Sequence, residues 1–502
     1  MDCNAFREAA TQAGHTFTIV CPSDDTYDHA RQIANSRFDL HPAAIAYCET
    51  AAHVGWCITY CRDTRAALRI RSGGHQHEGM CSSDGVVIVD LSKIDGIEYV
   101  GAAGELAWIG AGKRLGDVYR ELEARHRIIP GGGCGTVCVG GLTQGGGWGP
   151  SARLLGLTCD NMVEAEVVLA NGETVVASET NAYADLFWAM RGGGGGNFGV
   201  ATRFLFKLHP LSGTVTTFEL HWGREAMLDV TRTWMTEAST RSEALTTFCR
   251  LSVVGEDTGD RPAVLVGGQF YGPVRTLLGE LERLYDVAHP IYERFESHRY
   301  PERPHLDLAM ASDGRRDASL ASRQAYLGSL LQPAAAAAPT NTCDGPHPHK
   351  VSSAFPKHRD YGALAERIRD YLGQSEPSAR VNAYLSLHGM GGAVTNVPAT
   401  GSAFPYRDKD FMLQFQAWWV DGDGDAARYI AWVEECREAL RADTEGAFIN
   451  FPDKDLVADP DTQRVELLTH YYGENLDRLR GVKRTYDPDN VFSFGMNIPP
   501  AG

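Results

Sequence analysis

Glycine is crowded into three short runs of this chain, Gly73-Gly74, Gly131 to Gly149 and Gly192 to Gly199, out of 54 glycines in 502 residues. A residue without Cβ takes positive φ freely and lets a second backbone or a flat ligand come close, at a cost of about 0.5–1 kcal/mol in regular structure. Three such runs mark places where the chain turns tightly around something. Between them lie strand-like stretches, Val86 to Leu91 and Val167 to Val176, the latter with Asn171-Gly172 at its centre, a hairpin signal. The first 210 residues therefore read as a glycine-rich α+β unit. From about Leu211 the glycine runs stop, and longer segments such as Val381 to Leu387 and Phe411 to Trp419 predict a second domain. No period of 20 to 50 residues relates the two halves, so they are different units rather than repeats.

The formal charge of -17 argues against a nucleic-acid partner, which requires a basic footprint. No run approaches a membrane span, and Met1-Asp2-Cys3-Asn4 has no signal-peptide pattern, so a cytoplasmic protein without a membrane role is expected. The 12 cysteines lack the density of a disulfide scaffold, and most are expected to be reduced. Cys57 and Cys61 fall in a stretch that reads as a packed helix, not a zinc site. His347 and His349 end a Pro/Ala/His-rich stretch from Gln332 that is expected to be a surface loop with solvated histidines. No metal is expected.

Gly194-x-Gly196-x-x-Gly199 satisfies the dinucleotide fingerprint in form, but its context is reversed: the segment Asp185 to Arg191 before it is helical and Val200 to Phe206 after it is a strand. This context argues against a Rossmann site, and a glycine turn with amides facing a cofactor remains. Arg71-Ser72-Gly73-Gly74-His75-Gln76-His77-Glu78-Gly79 follows a strand-like segment. Its amides can cradle a pyrophosphate with the imidazole near the ring system so positioned, or it is a plain turn with a surface histidine. Cys134 lies in the run Ile128 to Gly149, where amide donors can favour a thiolate, or else it is an inert thiol in a tight turn.

Together, Arg71 to His75, then Cys134-x-Thr136-Val137-x-Val139-Gly140-Gly141, Asp185 to Gly199, Tyr471 to Leu479, Lys483 to Phe492 and Asn497 to Pro500, resemble the berberine-bridge-enzyme-like branch of the vanillyl-alcohol-oxidase superfamily of FAD-linked oxidases. The resemblance covers essentially the whole chain. It implies an α+β fold with a discontinuous PCMH-type FAD-binding domain, residues 1–210 and 455–502, whose core is about 38–211. A substrate-binding domain, 211–454, carries a large antiparallel sheet flanked by helices, and the berberine-bridge-like segment is about 455–500. It also implies FAD attached bicovalently, through His75 to the 8-methyl carbon and through Cys134 to carbon 6. Cys138 stands where relatives carry glycine and is the rival thiol. Further cofactor contacts are expected from Arg71, Ser72, Gly73, Gly74, Gln76 and Gly79. The second run supplies Gly133, Thr136, Val137, Gly140, Gly141, Gly145, Gly146 and Trp148. Asn197, Gly199 and Val200, then Tyr472, Asn475 and Asn497, complete the expected set.

The reaction implied is hydride removal from an alcohol or hemiacetal carbon of a bulky oligosaccharide, glycoside or natural product, with the flavin reoxidised by O2 to give H2O2. An oxidative cyclase, dehydrogenase or monooxygenase, or a non-catalytic flavin-binding protein, is the alternative. The partners are a small-molecule substrate and O2, and the protein is a monomer or homodimer. The chain departs from its relatives where many carry a catalytic tyrosine: it reads Phe448-Ile449-Asn450-Phe451, and Phe451 accepts no proton. Leu142 likewise replaces a histidine of many relatives. His388, Tyr384, Tyr406 and Tyr472 are the candidate proton acceptors, His388 because an imidazole titrates near neutrality. Packing or hydrogen bonding in the second domain is its other reading. Trp418 and Trp419 offer faces for a sugar or aromatic ring, or simply pack in a sheet.

Overall fold

The computed structural model describes residues 1–102, 104–252, 263–300, 346–374, 381–422 and 424–502. Most of the Pro/Ala/His-rich stretch, Gln332 to Gly345, lies outside them. Three main sheets organise the chain. In the first, Thr18–Val20, Ala44–Tyr47, Val87–Asp90 and Leu68–Arg71 lie side by side in that order, the last three parallel. Their Val/Ile/Ala content fits strands covered on both faces. The guanidinium of Arg71 is buried against Asp90 of the neighbouring strand at 2.5 Å and donates to Ala30 O at 2.8 Å, tying down the start of the glycine turn.

The second sheet is antiparallel, in the order Ile97–Val100, Leu106–Gly110, Val200–Lys207, Met162–Val168, Thr174–Ser178. Its last two strands form the expected hairpin, with Gly172 at φ +86°. The helix predicted before the third glycine run spans Ala184–Met190, and the strand predicted after it begins at Val200, as the reversed fingerprint required. The helix around Cys57 and Cys61 spans Ala51–Thr64, with both sulfurs in the core. The C-terminal helices Arg464–Tyr472 and Leu476–Tyr486 contribute Leu467, Leu468, Tyr471, Leu479 and Val482 to the same hydrophobic core as these two sheets. Cys3 and Cys21 form a disulfide, and eight described cysteines are free and buried. An oxidised pair at the N-terminus departs from the general expectation of reduced thiols.

The third sheet is antiparallel and eight-stranded: Tyr292–Tyr300, Gly213–Trp222, Val264–Phe270, Leu245–Ser252, Val381–Gly389, Phe411–Trp419, His349–Pro356, Thr444–Glu445. Strand periodicity sends alternate residues to opposite faces. Along Phe411–Trp419, Leu413, Phe415, Ala417 and Trp419 pack beneath the helices Met227–Glu237, Gly362–Gln374 and Ala426–Ala439. Gln414, Gln416 and Trp418 face the other way, toward the first two sheets. His349 starts a strand next to the edge of the large sheet and is 1% exposed, which overturns its reading as a solvated loop histidine: the apolar and polar neighbours that bury it lie far away in sequence. Among the described residues no helix is long and apolar enough to cross a membrane.

Candidate active site

Where the three sheets meet, a cavity of about 320 Å³ opens between the glycine runs and the helix-free face of the large sheet. The first run forms one wall. Ser72, Gly73, Gly74, His75, Gln76 and His77 all line it, and among the described residues the amides of Gly73, Gly74 and His75 have no hydrogen-bond acceptor, whereas that of Gln76 is engaged by the Cys81 thiol. Backbone N–H groups are almost always satisfied, so three consecutive bare donors at a cavity wall form a cradle for an anionic group. Gly73 must be glycine: a Cβ there would come 2.9 Å from Cys138 N and 3.0 Å from its Sγ, so the His75 turn rests directly on the second run.

That contact brings the two expected attachment residues together. Thr136 Oγ1 lies 3.2 Å from His75 Nε2 and 3.4 Å from Cys134 Sγ. Burial first, then the nearby charge of Arg114, pushes His75 down to about 4, so the ring is neutral and keeps a lone pair. Cys134 is disulfide-bonded in this structure. Cys138 borders the same cavity, but its Sγ donates to Gly112 O at 3.1 Å and burial pushes the thiol up to about 12, which disfavours thiolate there.

Gly133, Val137, Gly140, Gly141, Gly145 and Trp148 line the cavity as expected, and so do Asn197 and Val200. Gly141 has open space where a Cβ would stand. The remaining expected contacts lie outside its lining. Arg71 is spent on Asp90, and Gly79, Gly146 and Gly199 shape the backbone behind the wall, while Thr136 reaches the cavity only through its two neighbours. Asn475 donates to Ala399 O at 2.8 Å, and Asn497 accepts from Arg464 at 3.0 Å, so both hold the C-terminal segment in place. Asn197 does the same from inside: its Oδ1 accepts from Ile498 N at 2.9 Å and its backbone oxygen from Lys483 at 2.8 Å. A free cofactor contact is read from motif position, but a side chain's hydrogen-bond partner depends on tertiary neighbours.

The opposite wall comes from the large sheet and the Phe448 to Phe451 segment. Asn450 anchors that segment to the second glycine run, with Gly147 N donating to its Oδ1 at 3.0 Å; a Cβ on Gly145 would strike its amide at 2.3 Å. Of the four candidate proton acceptors, His388 alone borders the cavity. Its Nε2 is 2.9 Å from Gln414 Oε1, and its Nδ1 is buried with no partner among the described residues. Burial pushes it down to about 4. Tyr384 gives its hydroxyl to Gln416 Oε1 (3.0 Å), Tyr406 to His470 O (2.6 Å) and Tyr472 to Gly193 O (2.8 Å), and none of the three lines the cavity. Trp418 lines the cavity, whereas Trp419 lies on the helix side against Tyr429.

Sequence reasoning passed over several lining residues. Gln414 and Gln416 interrupt an otherwise apolar buried strand, and that was the available signal. Gln416 Oε1 also accepts from Trp418 Nε1 at 3.1 Å; an indole only donates, so the amide oxygen is fixed there and the NH2 group is turned elsewhere. His77 sits inside a motif already singled out. Phe492 closes a motif already quoted, and Phe494 and Met496 had no signal beyond their apolar character.

Behind the wall, Lys350 Nζ is fully buried among Asp453 (2.6 Å), Asp455 (2.6 Å) and Glu78 (3.1 Å). These three carboxylates are the one described group spaced to hold a metal ion, and the ammonium occupies their centre. The ion pair joins the large sheet to the His75 turn.

Comparison with known proteins gives these walls a context. Residues 42–178 match the family model for an FAD binding domain, and residues 447–499 match that for berberine and berberine-like proteins. The chain is 30% identical to the FAD-linked oxidoreductase YgaK of Bacillus subtilis strain 168, itself uncharacterized, over 97% of each chain. In fold it is similar to chitooligosaccharide oxidase (TM-score 0.83, 23% identity, 99% of this chain and 100% of that one) and to BBE-like 1 of Physcomitrella patens (TM-score 0.82, 24% identity, 99% of each).

Proposed function

The chain belongs to the berberine-bridge-enzyme-like family of FAD-linked oxidoreductases, and from that premise we propose that it oxidises an alcohol or hemiacetal carbon of a bulky small molecule. FAD, when bound, supplies the hydride acceptor. The bare amides of Gly73, Gly74 and His75 would hold its pyrophosphate, and the His75 and Cys134 side chains would tether its ring. The observation that carries this reading is the convergence of His75 and Cys134 on Thr136 Oγ1 beside those amides. Attachment through Cys134 would require its sulfur as a free thiol, so a thiol reductant would first have to open its disulfide.

The substrate enters against the large sheet. Trp418, Trp148 and Phe451 offer apolar faces, and the amides of Gln416 and Asn450 offer polar contacts. This mixture suits a glycoside or aromatic alcohol better than a small charged metabolite, because most of a ring's surface can be covered while a few polar groups set its orientation. Dioxygen as the final acceptor, with H2O2 as product, completes the proposal.

Reconstituted protein should keep its yellow colour through acid precipitation, bleach under nitrogen on addition of substrate, and release peroxide in air. Colour lost to the acid supernatant would remove the covalent part of the reading. A flavin that no alcohol or hemiacetal bleaches would remove the oxidation itself.

A further inference from the structure

We propose that His77, oriented by His349, is the proton acceptor for the substrate hydroxyl, taking the role that Phe451 cannot fill; this rests on the alcohol oxidation proposed above. The assignment follows from a chain of three groups. His349 Nδ1 lies 2.8 Å from His347 O, and a carbonyl only accepts, so His349 carries its proton on Nδ1. In the neutral ring its Nε2 is then a lone pair. His77 Nδ1 stands 2.9 Å from that Nε2 and must be the donor. His77 is left with a bare Nε2, which makes no hydrogen bond among the described residues, on a ring that borders the cavity. The logic is that of a base whose tautomer is set by a second group behind it.

The pair is built, not incidental. Asn35 stitches the two backbones together: its Nδ2 donates to His77 O (2.7 Å) and to His349 O (3.0 Å), and its Oδ1 accepts from His349 N (3.1 Å). The next residue on each side extends the seam, since Glu78 and Lys350 are the buried ion pair. Trp418 closes over His349, with ring centres 3.9 Å apart. Phe451 stands with its ring centre 6.0 Å from that of His77 and 6.0 Å from that of His388, so the two imidazoles flank the position where many relatives carry tyrosine. They are not equivalent. His388 has one nitrogen engaged by Gln414 and the other buried, so neither is open to the cavity as arranged.

In the step proposed, the hydroxyl proton passes to His77 Nε2 while the carbinol hydrogen leaves with its electron pair as hydride to the flavin. The carbon–oxygen single bond becomes a double bond, and the substrate loses two electrons and two hydrogens. The bond from His77 Nδ1–H to His349 becomes charge-assisted as the proton arrives, which strengthens it. Burial first, then Coulombic coupling to the His75 ring and the Arg37 guanidinium, holds His77 well below the usual imidazole range in the resting protein, so the lone pair is present throughout neutral and mildly acid pH. Glu78 and Lys350 face it only as a paired couple, with Arg37 also on Glu78 at 3.3 Å.

The test compares holoenzyme with His77→Gln, His349→Phe and His388→Asn, each matched for flavin content, by anaerobic flavin reduction with cellobiose and with cinnamyl alcohol. His77→Gln is expected to reduce its flavin about 10²–10⁴-fold more slowly, with a residual rate that climbs with pH where that of the parent is flat. His349→Phe, which removes a positioning residue, should lose about tenfold. Nitrogen-15 NMR of histidine-labelled protein gives a readout independent of turnover: His77 should show a protonated Nδ1 and a bare Nε2, and lose that preference in His349→Phe. Parent-like reduction by His77→Gln, or collapse of the rate in His388→Asn alone, overturns the proposal. So does an Nε2-protonated His77. If neither alcohol bleaches the parent flavin, the oxidation reading fails for these substrates, and the NMR signature still decides the histidine pair.

Discussion

His75 and Cys134, distant in sequence, meet at a single hydroxyl: Thr136 Oγ1 is 3.2 Å from the imidazole and 3.4 Å from the sulfur. Gly73 makes this possible by letting the first glycine turn lie on the backbone of Cys138. Each of the two residues is thus positioned by the other's segment.

Removing either one should cost one flavin bond and leave the other. Intact mass and peptide mapping of reconstituted His75→Ala and Cys134→Ala are expected to show flavin still linked in each, at the remaining residue, and flavin fully released by acid in the double variant. Flavin on Cys138 in Cys134→Ala would reassign the second tether.

Gln416→Leu strands two donors at once, the Tyr384 hydroxyl and the Trp418 indole. Leaving buried donors unpaired costs about 1–3 kcal/mol each. A lowered melting temperature is expected, together with a raised KM because the amide also borders the cavity. A parent-like melt would mean that the two rings find other acceptors.

Lys350→Met removes the ammonium from among Glu78, Asp453 and Asp455. Breaking a buried pair from one side typically costs about 3–5 kcal/mol, because the carboxylates stay buried without compensation. The variant should melt well below the parent and lose flavin on heating sooner, since the cluster ties the large sheet to the His75 turn. Calorimetry with parallel flavin fluorescence would measure both.

Acid should weaken the fold through its buried histidines. His388 is pushed by burial from 6.5 to about 4, and burial first, then Coulombic coupling to the His77 ring, depresses His349 as well. A depressed imidazole binds its proton more readily when unfolded, so its contribution is whole above pH 6.5 and lost as pH falls toward the folded value. For His388 that window is about 6.5 to 4, with a slope of about 1.4 kcal/mol per pH unit. Urea melts across it should be shallower in pH for His388→Asn than for the parent; identical slopes would show that His388 does not titrate there.

The sequence alone determined those parts whose signal is local. Asn171-Gly172 makes a hairpin because glycine takes positive φ at little cost, and the reversed order of helix and strand around Gly194 to Gly199 argued against a Rossmann site before any coordinates. That His75 and Cys134 would lie close together was legible because motif and spacing survive in one dimension. The roles of the remaining polar side chains were decided by tertiary structure. Tyr406 and Tyr472 give their hydroxyls to backbone carbonyls, His349 moved from an expected loop into a buried strand of the large sheet, and His77 acquired a fixed tautomer from a partner 272 positions away. Hydrogen-bond partners and burial belong to the assembled sheets, and a side chain's chemistry depends on which neighbour takes its proton and how much water is left beside it.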